Sequence, residues 1–456
     1  MRRRSITGPI LLILVGAGFL IYNLRPEIAL FDLMSQYWPF LLILWGLLRL
    51  VEVVVDYARG SVQRTSFSGG EVVLIIFLCF AGWGAFEAHS HGVHFRPAWE
   101  AFGEHYDYNV EETKPAGNAT RVVFENNRGN LKIIGAETQE IRVTGRKSVQ
   151  AMNRAEADRA NSDTPVEIVA QGDQIVVRTN QDRHAGGRRI SSDLEITIPN
   201  GMSVEAHGSN GDFEVTDLNG SVDLLGDRAD VRLSKIGGNV RVEMQRSDLV
   251  RAADLKGNLD LTGKGSDIEL ENIAGQVTIN GSYSGSLEFK NLTKPLHFES
   301  PNTDLRVAAL PGKISMDLGE LSGNDLVGPV HLVTKSKDVK FEDFSNVMEI
   351  ETERGDIELQ PNRVPLAKIE ARSRSGQISL ALPEKAAFQL LATTDHGEAV
   401  NEFGAPIQVE KEGEGRSASL KGTVGQGPSI HLVTDRGTVT VRKAGGQAEE
   451  PAKAEM

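Results

Sequence analysis

One cysteine, Cys79, occurs in 456 residues, so neither an internal disulfide framework nor a Cys-based zinc site can be assembled, whatever the compartment. Stability has to come from packing and backbone pairing. Tryptophan stops early: Trp38, Trp45, Trp83 and Trp99 all fall in the first hundred residues, and aromatics are 6% of the chain. Stacking platforms of the kind that hold sugar rings are therefore scarce beyond that point. Lysine is missing from the first hundred residues, which hold 8 Arg and 7 acids; the remainder has 41 basic and 55 acidic residues, a net charge of −14. An acidic remainder without a basic stripe excludes nucleic-acid recognition, which begins from clustered Lys and Arg. There is no Walker-type loop and no Gly-x-Ser-x-Gly elbow. Gly16-x-Gly18 lies inside an apolar run with no strand before it, so it is not a dinucleotide loop. No catalytic residue, no cofactor and no enzyme activity are expected.

What is present divides into two halves with different solvents. Three apolar runs, about 6–24, 33–55 and 72–88, read as membrane spans within a segment 1–90. The first has 19 uncharged residues from Ile6 to Leu24, which at about 1.5 Å per helical residue matches the ~30 Å hydrocarbon layer. A cleaved signal peptide is the rival reading of the Arg2-Arg3-Arg4 start, but no small-x-small site follows before Arg25. In the second run Arg49 and Glu52 lie near the end, where arginine snorkels to the interface beside its partner. Arg2 to Arg4, Arg59 and Arg64 mark cytoplasmic ends, against Arg25 alone between the first two spans. The expectation is a multi-pass protein of the cytoplasmic membrane with its C-terminal domain on the exoplasmic side. The stretch TGPILLILVGAGFLIYNL followed by YWPFLLILWGLLRLVE resembles the LiaI/LiaF-like transmembrane region, which implies a topology and no reaction.

Beyond the membrane segment a repeat appears. GDFEVTDLNG, ADVRLSKIGG, SDLVRAADLKG, SDIELENIAG, GSLEFKNLTK and TDLRVAALPG each alternate two apolar residues and then add a third. The third apolar residues, Leu218, Ile236, Leu255, Ile273, Leu292 and Leu310, are separated by 18, 19, 18, 19 and 18 residues. Between the units lies a second alternation at SVDL, NVRV, NLDL, QVTI and KISM, preceded by Gly220, Gly238, Gly257, Gly275 and Gly312, read here as permissive corner residues. Two short strands per repeat of about 18 residues fit one turn of a β-solenoid, with turns stacked ~4.8 Å apart. An antiparallel β-sandwich is the runner-up; it shares the alternation but needs no ladder of this period. The fold class is thus an all-β solenoid preceded by an α-helical membrane segment of three helices.

Weaker copies at DVKFEDF, DIELQPN, QISLALP and SIHLVTDRGTVTVR extend the solenoid over 118–443, leaving 91–117 as a juxtamembrane linker and 444–456 as a disordered tail. Asn153 to Ala160 reads as a short polar helix or loop, and irregular turns are expected at Lys294-Pro295 and after Gly323. The open ends need caps, for which the membrane-proximal start and the last hairpin, Thr434 to Arg442, are candidates. The stretch DLEITIPNGMSVEAHGSNGDFEVTDLNGSVDL, with its Ile-Pro-x-Gly entry and repeated Gly-Asp-φ-x-Val units, resembles the bacterial putative-adhesin family of β-solenoid domains of unknown function. The resemblance implies a cell-envelope setting and supplies no catalytic residue.

Two metal-binding candidates stand beside plainer readings. Asp212, Asp230, Asp248 and Asp267, with Asp304 and then Asp325, Asp338 and Asp356 further on, occupy equivalent positions before the first strand of each turn. A stacked row of hard oxygen ligands suits Ca²⁺; alternatively each Asp caps its own turn through an Asx-type hydrogen bond. His89, His91 and His94 suit a transition metal, or else belong to a solvated juxtamembrane stretch with Phe95, Trp99 and Phe102 as anchors. The other His residues are single and read as surface or corner positions. Partners expected are the lipid bilayer, an envelope polymer or membrane protein, and further copies of the chain, with adhesion or scaffolding as the function. Two alternatives remain open: an accessory of an envelope-stress sensing system and, on paired carboxylates of adjacent turns, a polysaccharide-active enzyme.

Overall fold

A computed structural model describes residues 103–184, 189–412 and 417–445, together with Leu47. Apart from Leu47, the three expected spans, with Cys79, the His89–His91–His94 cluster and most of the tail, lie outside the described residues. No helix among the described residues is long and apolar enough to cross a membrane. The chain divides into two units, Met1–Gly103 and Glu104–Met456, and all the described residues except Leu47 and Gly103 belong to the second.

That unit is nearly all β: its described elements are thirty strands, one α-helix and one 3-10 turn. The 18-residue period places equivalent apolar residues in parallel register, one above another. In the first wall Val204, Val222, Val240, Leu259, Val277 and Leu296 form one column. In the second wall Phe213, Val231, Val250, Ile268 and Leu287 form another, and Leu218, Ile236, Leu255, Ile273 and Leu292 a third. All are buried and belong to one continuous core. Alternation sends every second side chain inward, so each rung contributes its apolar set to the same interior.

The corners are built differently from the expectation. Positive φ falls on Asp217 (59°), Lys235 (53°), Asp254 (58°), Asn272 (57°) and Asn291 (52°), each just before the third apolar residue of its repeat. The left-handed residue turns the strand so that Leu218 and its equivalents point inward one position later than strict alternation would place them, and after glycine Asp and Asn tolerate that conformation best. These corners also stack: Asn272 Nδ2 donates to Asp254 Oδ1 at 3.0 Å, and Asn291 Nδ2 to Asn272 Oδ1 at 2.7 Å. Gly220, Gly238, Gly257 and Gly275 have another reason to be glycine. A Cβ on Gly257 would stand 2.1 Å from Gly238 O, and one on Gly275 would stand 2.0 Å from Gly257 O. They are glycine because successive rungs touch backbone to backbone there.

The ladder is interrupted once. After Leu296–Ser300 the chain turns back, and Thr303–Met316 runs antiparallel over both preceding strands. It turns again at Asp317–Gly319, after which Glu320–Asn324 and Val327–Ser336 restore the original direction. Parallel stacking then resumes through Asp338–Glu342, Met348–Arg354, Ile357–Gln360, Ile369–Ser373 and Ile378–Leu382. The corner at Lys294-Pro295, expected to be irregular, keeps the ladder's register, with Val277 N donating to Pro295 O at 3.0 Å; the irregularity is the double reversal that follows it, and Gly323 lies in the strand after its second turn.

Both ends differ from the expected caps. Ser429–Arg436 and Val439–Lys443 are interior: they pair in parallel with Ile369–Ser373 and Ile378–Leu382 on one side and with Phe388–His396 and Ala399–Glu402 on the other. The first wall is instead closed at this end by the antiparallel pair Gln408–Glu412 and Ser417–Val424. At the other end the interval 91–117, expected as a linker, carries the strand Glu104–Pro115, paired along its length with Glu140–Ala151.

The polar insertion is the helix Arg154–Asp163, opened by Asn153, whose Oδ1 accepts from Glu156 N at 2.9 Å. Its C-terminus is held by the buried ammonium of Lys147, which donates to Asn161 O at 2.9 Å and Thr164 O at 2.6 Å. Burial pulls the Lys147 ammonium down to about 8. Tyr108 donates to Asp158 at 2.7 Å and, chiefly through burial, is pushed up to about 12.

Candidate binding groove

The Asp row is assembled only in part: Asp267 pairs in register with Leu249, so Asp248 stands one residue off the column, Asp304 lies in the antiparallel strand Thr303–Met316, and Asp325 is a left-handed corner residue; the aligned carboxylates are already engaged. Asp212 Oδ1 accepts from Asp230 N at 3.2 Å, and Asp230 Oδ1 from Asp248 N at 3.1 Å and Leu249 N at 2.9 Å. Asp267 Oδ1 accepts from Ser286 N at 2.8 Å, Asp338 Oδ1 from Asp356 N at 2.9 Å, and Asp356 Oδ1 from Gln377 N at 2.7 Å. Each carboxylate therefore caps the next rung, not its own turn as the Asx reading has it. Asparagine does the same work at Asn130, which receives Asp212 N at 2.9 Å, and at Asn239 and Asn258 on the other corner. Arg232 adds a cation 3.5 Å from Asp212 and 3.7 Å from Asp230. Among the described residues no group of three His, Cys, Asp or Glu is arranged to hold a metal ion.

A different feature carries the binding potential. An open groove of about 1070 Å³ runs across the stacked rungs where the first wall meets its corner. Glycine recurs along it: Gly208, Gly226, Met244, Gly263 and Gly281 are register partners on five successive strands, with Asn126 one strand further. At ~4.8 Å per strand this column is roughly 19 Å long. A Cβ on Gly226 would meet Met244 Sδ at 2.8 Å, and one on Gly281 would meet Gly263 O at 1.9 Å, so tight stacking leaves bare backbone along the groove.

The residue before each of these positions faces outward and forms one rim: Glu125, His207, Leu225, Glu243, Thr262 and Asn280. Leu225 is the apolar member, 44% exposed in an otherwise polar rim. Charges are offset locally. Arg178 Nε lies 2.7 Å from Glu125 Oε2, Arg183 pairs with Glu167 at 3.4 Å, and Arg241 bonds Glu243. His207 bonds Glu205 at 2.9 Å and, ahead of Arg121, holds that carboxyl below its ordinary value.

One end of the groove is a fixed wall, the 3-10 turn Gln181–Arg183. A buried polar cluster holds it: Gln181 Nε2 donates to Arg128 O at 2.7 Å, Ser192 Oγ at 3.1 Å and Asn126 Oδ1 at 3.2 Å. Gln181 Oε1 accepts from Arg128 N at 2.8 Å, and Asn126 Nδ2 reaches Gly129 O at 3.0 Å and Ser192 O at 3.1 Å. Such a network preorganises a wall because every buried polar atom in it has a partner.

The groove residues were not singled out from the sequence, although a signal exists: Gly208, Gly226, Gly263 and Gly281 share the 18-residue period, skipping the rung of Met244. The Toastrack DUF4097 family matches residues 86–442. The chain belongs to that family. For this Toastrack domain, no curated protein matches. A solved structure of a putative cell adhesion protein from Clostridium sporogenes ATCC 15579 aligns with 74% of this chain and 100% of its own, at 8% identity and a TM-score of 0.16. At that score it carries no argument about fold or function.

Proposed function

We propose that this Toastrack protein is a non-catalytic binding domain of the cell envelope, held at the cytoplasmic membrane by its N-terminal segment, whose solenoid engages an extended polymer along the groove on the exoplasmic side. The observation that supports the reading is the groove itself: it follows the stacking axis over five strands and offers a row of hydrogen-bonding side chains at the strand spacing. A chain-like ligand can repeat its contacts from rung to rung, which a compact ligand cannot. The anchoring half of the proposal rests on the three apolar runs and the arginine bias of their flanks. Adhesion or scaffolding by surface complementarity needs no turnover, in keeping with a groove whose rim acids Glu125 and Glu243 are paired with arginines.

The test uses one engineered thiol, Ser209→Cys in a Cys79→Ser background, placed in the groove lining. A membrane-impermeant maleimide should label it on spheroplasts without lysis, and added envelope polymer should slow the labelling. Protection until lysis would overturn the exoplasmic placement and with it the adhesin reading.

A further inference from the structure

The composition of the groove points to a ligand class. Four acids, Glu125, Asp182, Asp227 and Glu243, and three bases, Arg178, Arg183 and Lys264, line it, so it favours neither a polyanion nor a polycation. The remaining polar lining is neutral, with amide and hydroxyl groups on Asn127, Ser209, Gln245, Thr262 and Asn280. Paired donors and acceptors of this kind match hydroxyl and amide groups, and the groove is lined by no Phe, Tyr or Trp ring that would make flat stacking the main contact.

Leu225 is the exception that narrows the class. It sits in mid-groove between His207 and Glu243, exposed where a polar residue would cost nothing, and Met244 lies beside the adjoining Gly226. A ligand that uses it carries a small apolar group among polar ones. An acetamido substituent has that form: an N–H and a C=O for the amide side chains, and a methyl for Leu225. We infer that the groove takes a single uncharged, N-acetylated glycan chain laid along the stacking axis, one end stopping against the turn Gln181–Arg183. The inference rests on the groove being the binding surface proposed above.

The experiment titrates the full-length protein in nanodiscs with three soluble hexamers: β-1,4-linked N-acetylglucosamine, its deacetylated form, and β-1,4-linked glucose. The acetylated hexamer should bind about tenfold or more tightly than either of the others, the range set by one apolar contact plus satisfied hydrogen bonds. Leu225→Asp and Thr262→Trp, both at outward positions, should each weaken it about tenfold or more while leaving the unfolding midpoint unchanged. Lys313→Ala in the opposite wall should leave binding as it is. Equal binding of the glucose hexamer, or undiminished binding by both groove variants, would overturn the inference. If none of the hexamers binds while envelope polymer still slows labelling at Ser209→Cys, the N-acetylated class is overturned and the wider binding function stands. If the acetylated hexamer binds but the thiol is protected until lysis, the ligand class holds and the exoplasmic placement falls.

Discussion

The rungs before Ser300 and those after Thr303 use one construction principle with different strictness. In the first stretch, from Ser203 to Ser300, every rung adds 18 or 19 residues, one corner of each carries a left-handed residue, and every strand lands on its equivalent below; only the earlier rung Arg121–Ala136 departs, docking between strands that follow it in the chain. After the double reversal the corners lengthen, left-handed residues remain at Asp325 and Asp343, and the chain order of the rungs no longer equals their order in the stack. Both stretches are equally well buried, with Phe289 and Phe341 each fully inaccessible. The comparison shows that strict periodicity is not what packs the core. Periodicity is what produces continuous columns, and hence a groove with a repeating rim.

Predictions that test this comparison run from large effects to small. Phe289→Ala and Phe341→Ala should each cost about 3–5 kcal/mol in urea unfolding, because both remove a fully buried ring. A much smaller loss at Phe341 would show that the second stretch relaxes where the first cannot. Gly257→Ala should cost about 1–3 kcal/mol or more, since its Cβ would meet the backbone of the rung below, whereas Gly201→Ala, with nothing within 4 Å, should stay within about 0.5 kcal/mol. Asp230→Ala leaves two backbone N–H groups without their acceptor and should cost about 1–3 kcal/mol; Asp356→Ala in the second stretch should behave alike, and Asp230→Asn should be nearly neutral, as Asn130 and Asn258 already serve in this role.

The helix at the N-terminal end adds a pH-dependent term. Lys147 titrates near 8 when folded against an ordinary 10.5, so between these values the unfolded chain binds the extra proton and stability rises with pH. Lys147→Met should flatten that slope in unfolding midpoints measured from pH 7 to pH 11. The smallest effect belongs to exposed pairs: removing the Lys290–Glu271 bridge of 2.7 Å by Lys290→Ala should change stability by about 0.5 kcal/mol or less.

Much of this architecture was legible in the residues. The 18-residue spacing from Leu218 to Leu292 predicts the parallel columns, and Asn153 marks its helix. Two kinds of information were not local and stayed hidden. The reason for glycine at Gly238 or Gly257 is the backbone of another rung, which a single repeat does not display. The insertion of Ser429–Lys443 between earlier rungs is a choice among equivalent edges, and its alternation is the same wherever it docks. The Asp row was visible, but its hydrogen-bond partner lies one turn away, so sequence left cation binding and local capping as rivals. The groove was least legible, because Leu225 or Asn280 looks like any outward residue until five rungs are stacked.

That inserted rung bears on how the protein is made. As the chain leaves the ribosome, Ile369–Leu382 and Phe388–Glu402 are complete before Ser429–Lys443 exists, and the facing edges of both stay open until the last strands arrive. The stack therefore closes from within, after the rungs on both sides of the gap are already made. A nascent chain that stalls short of this rung lacks an interior layer and presents two unsatisfied strand edges to chaperones, proteases and neighbouring chains.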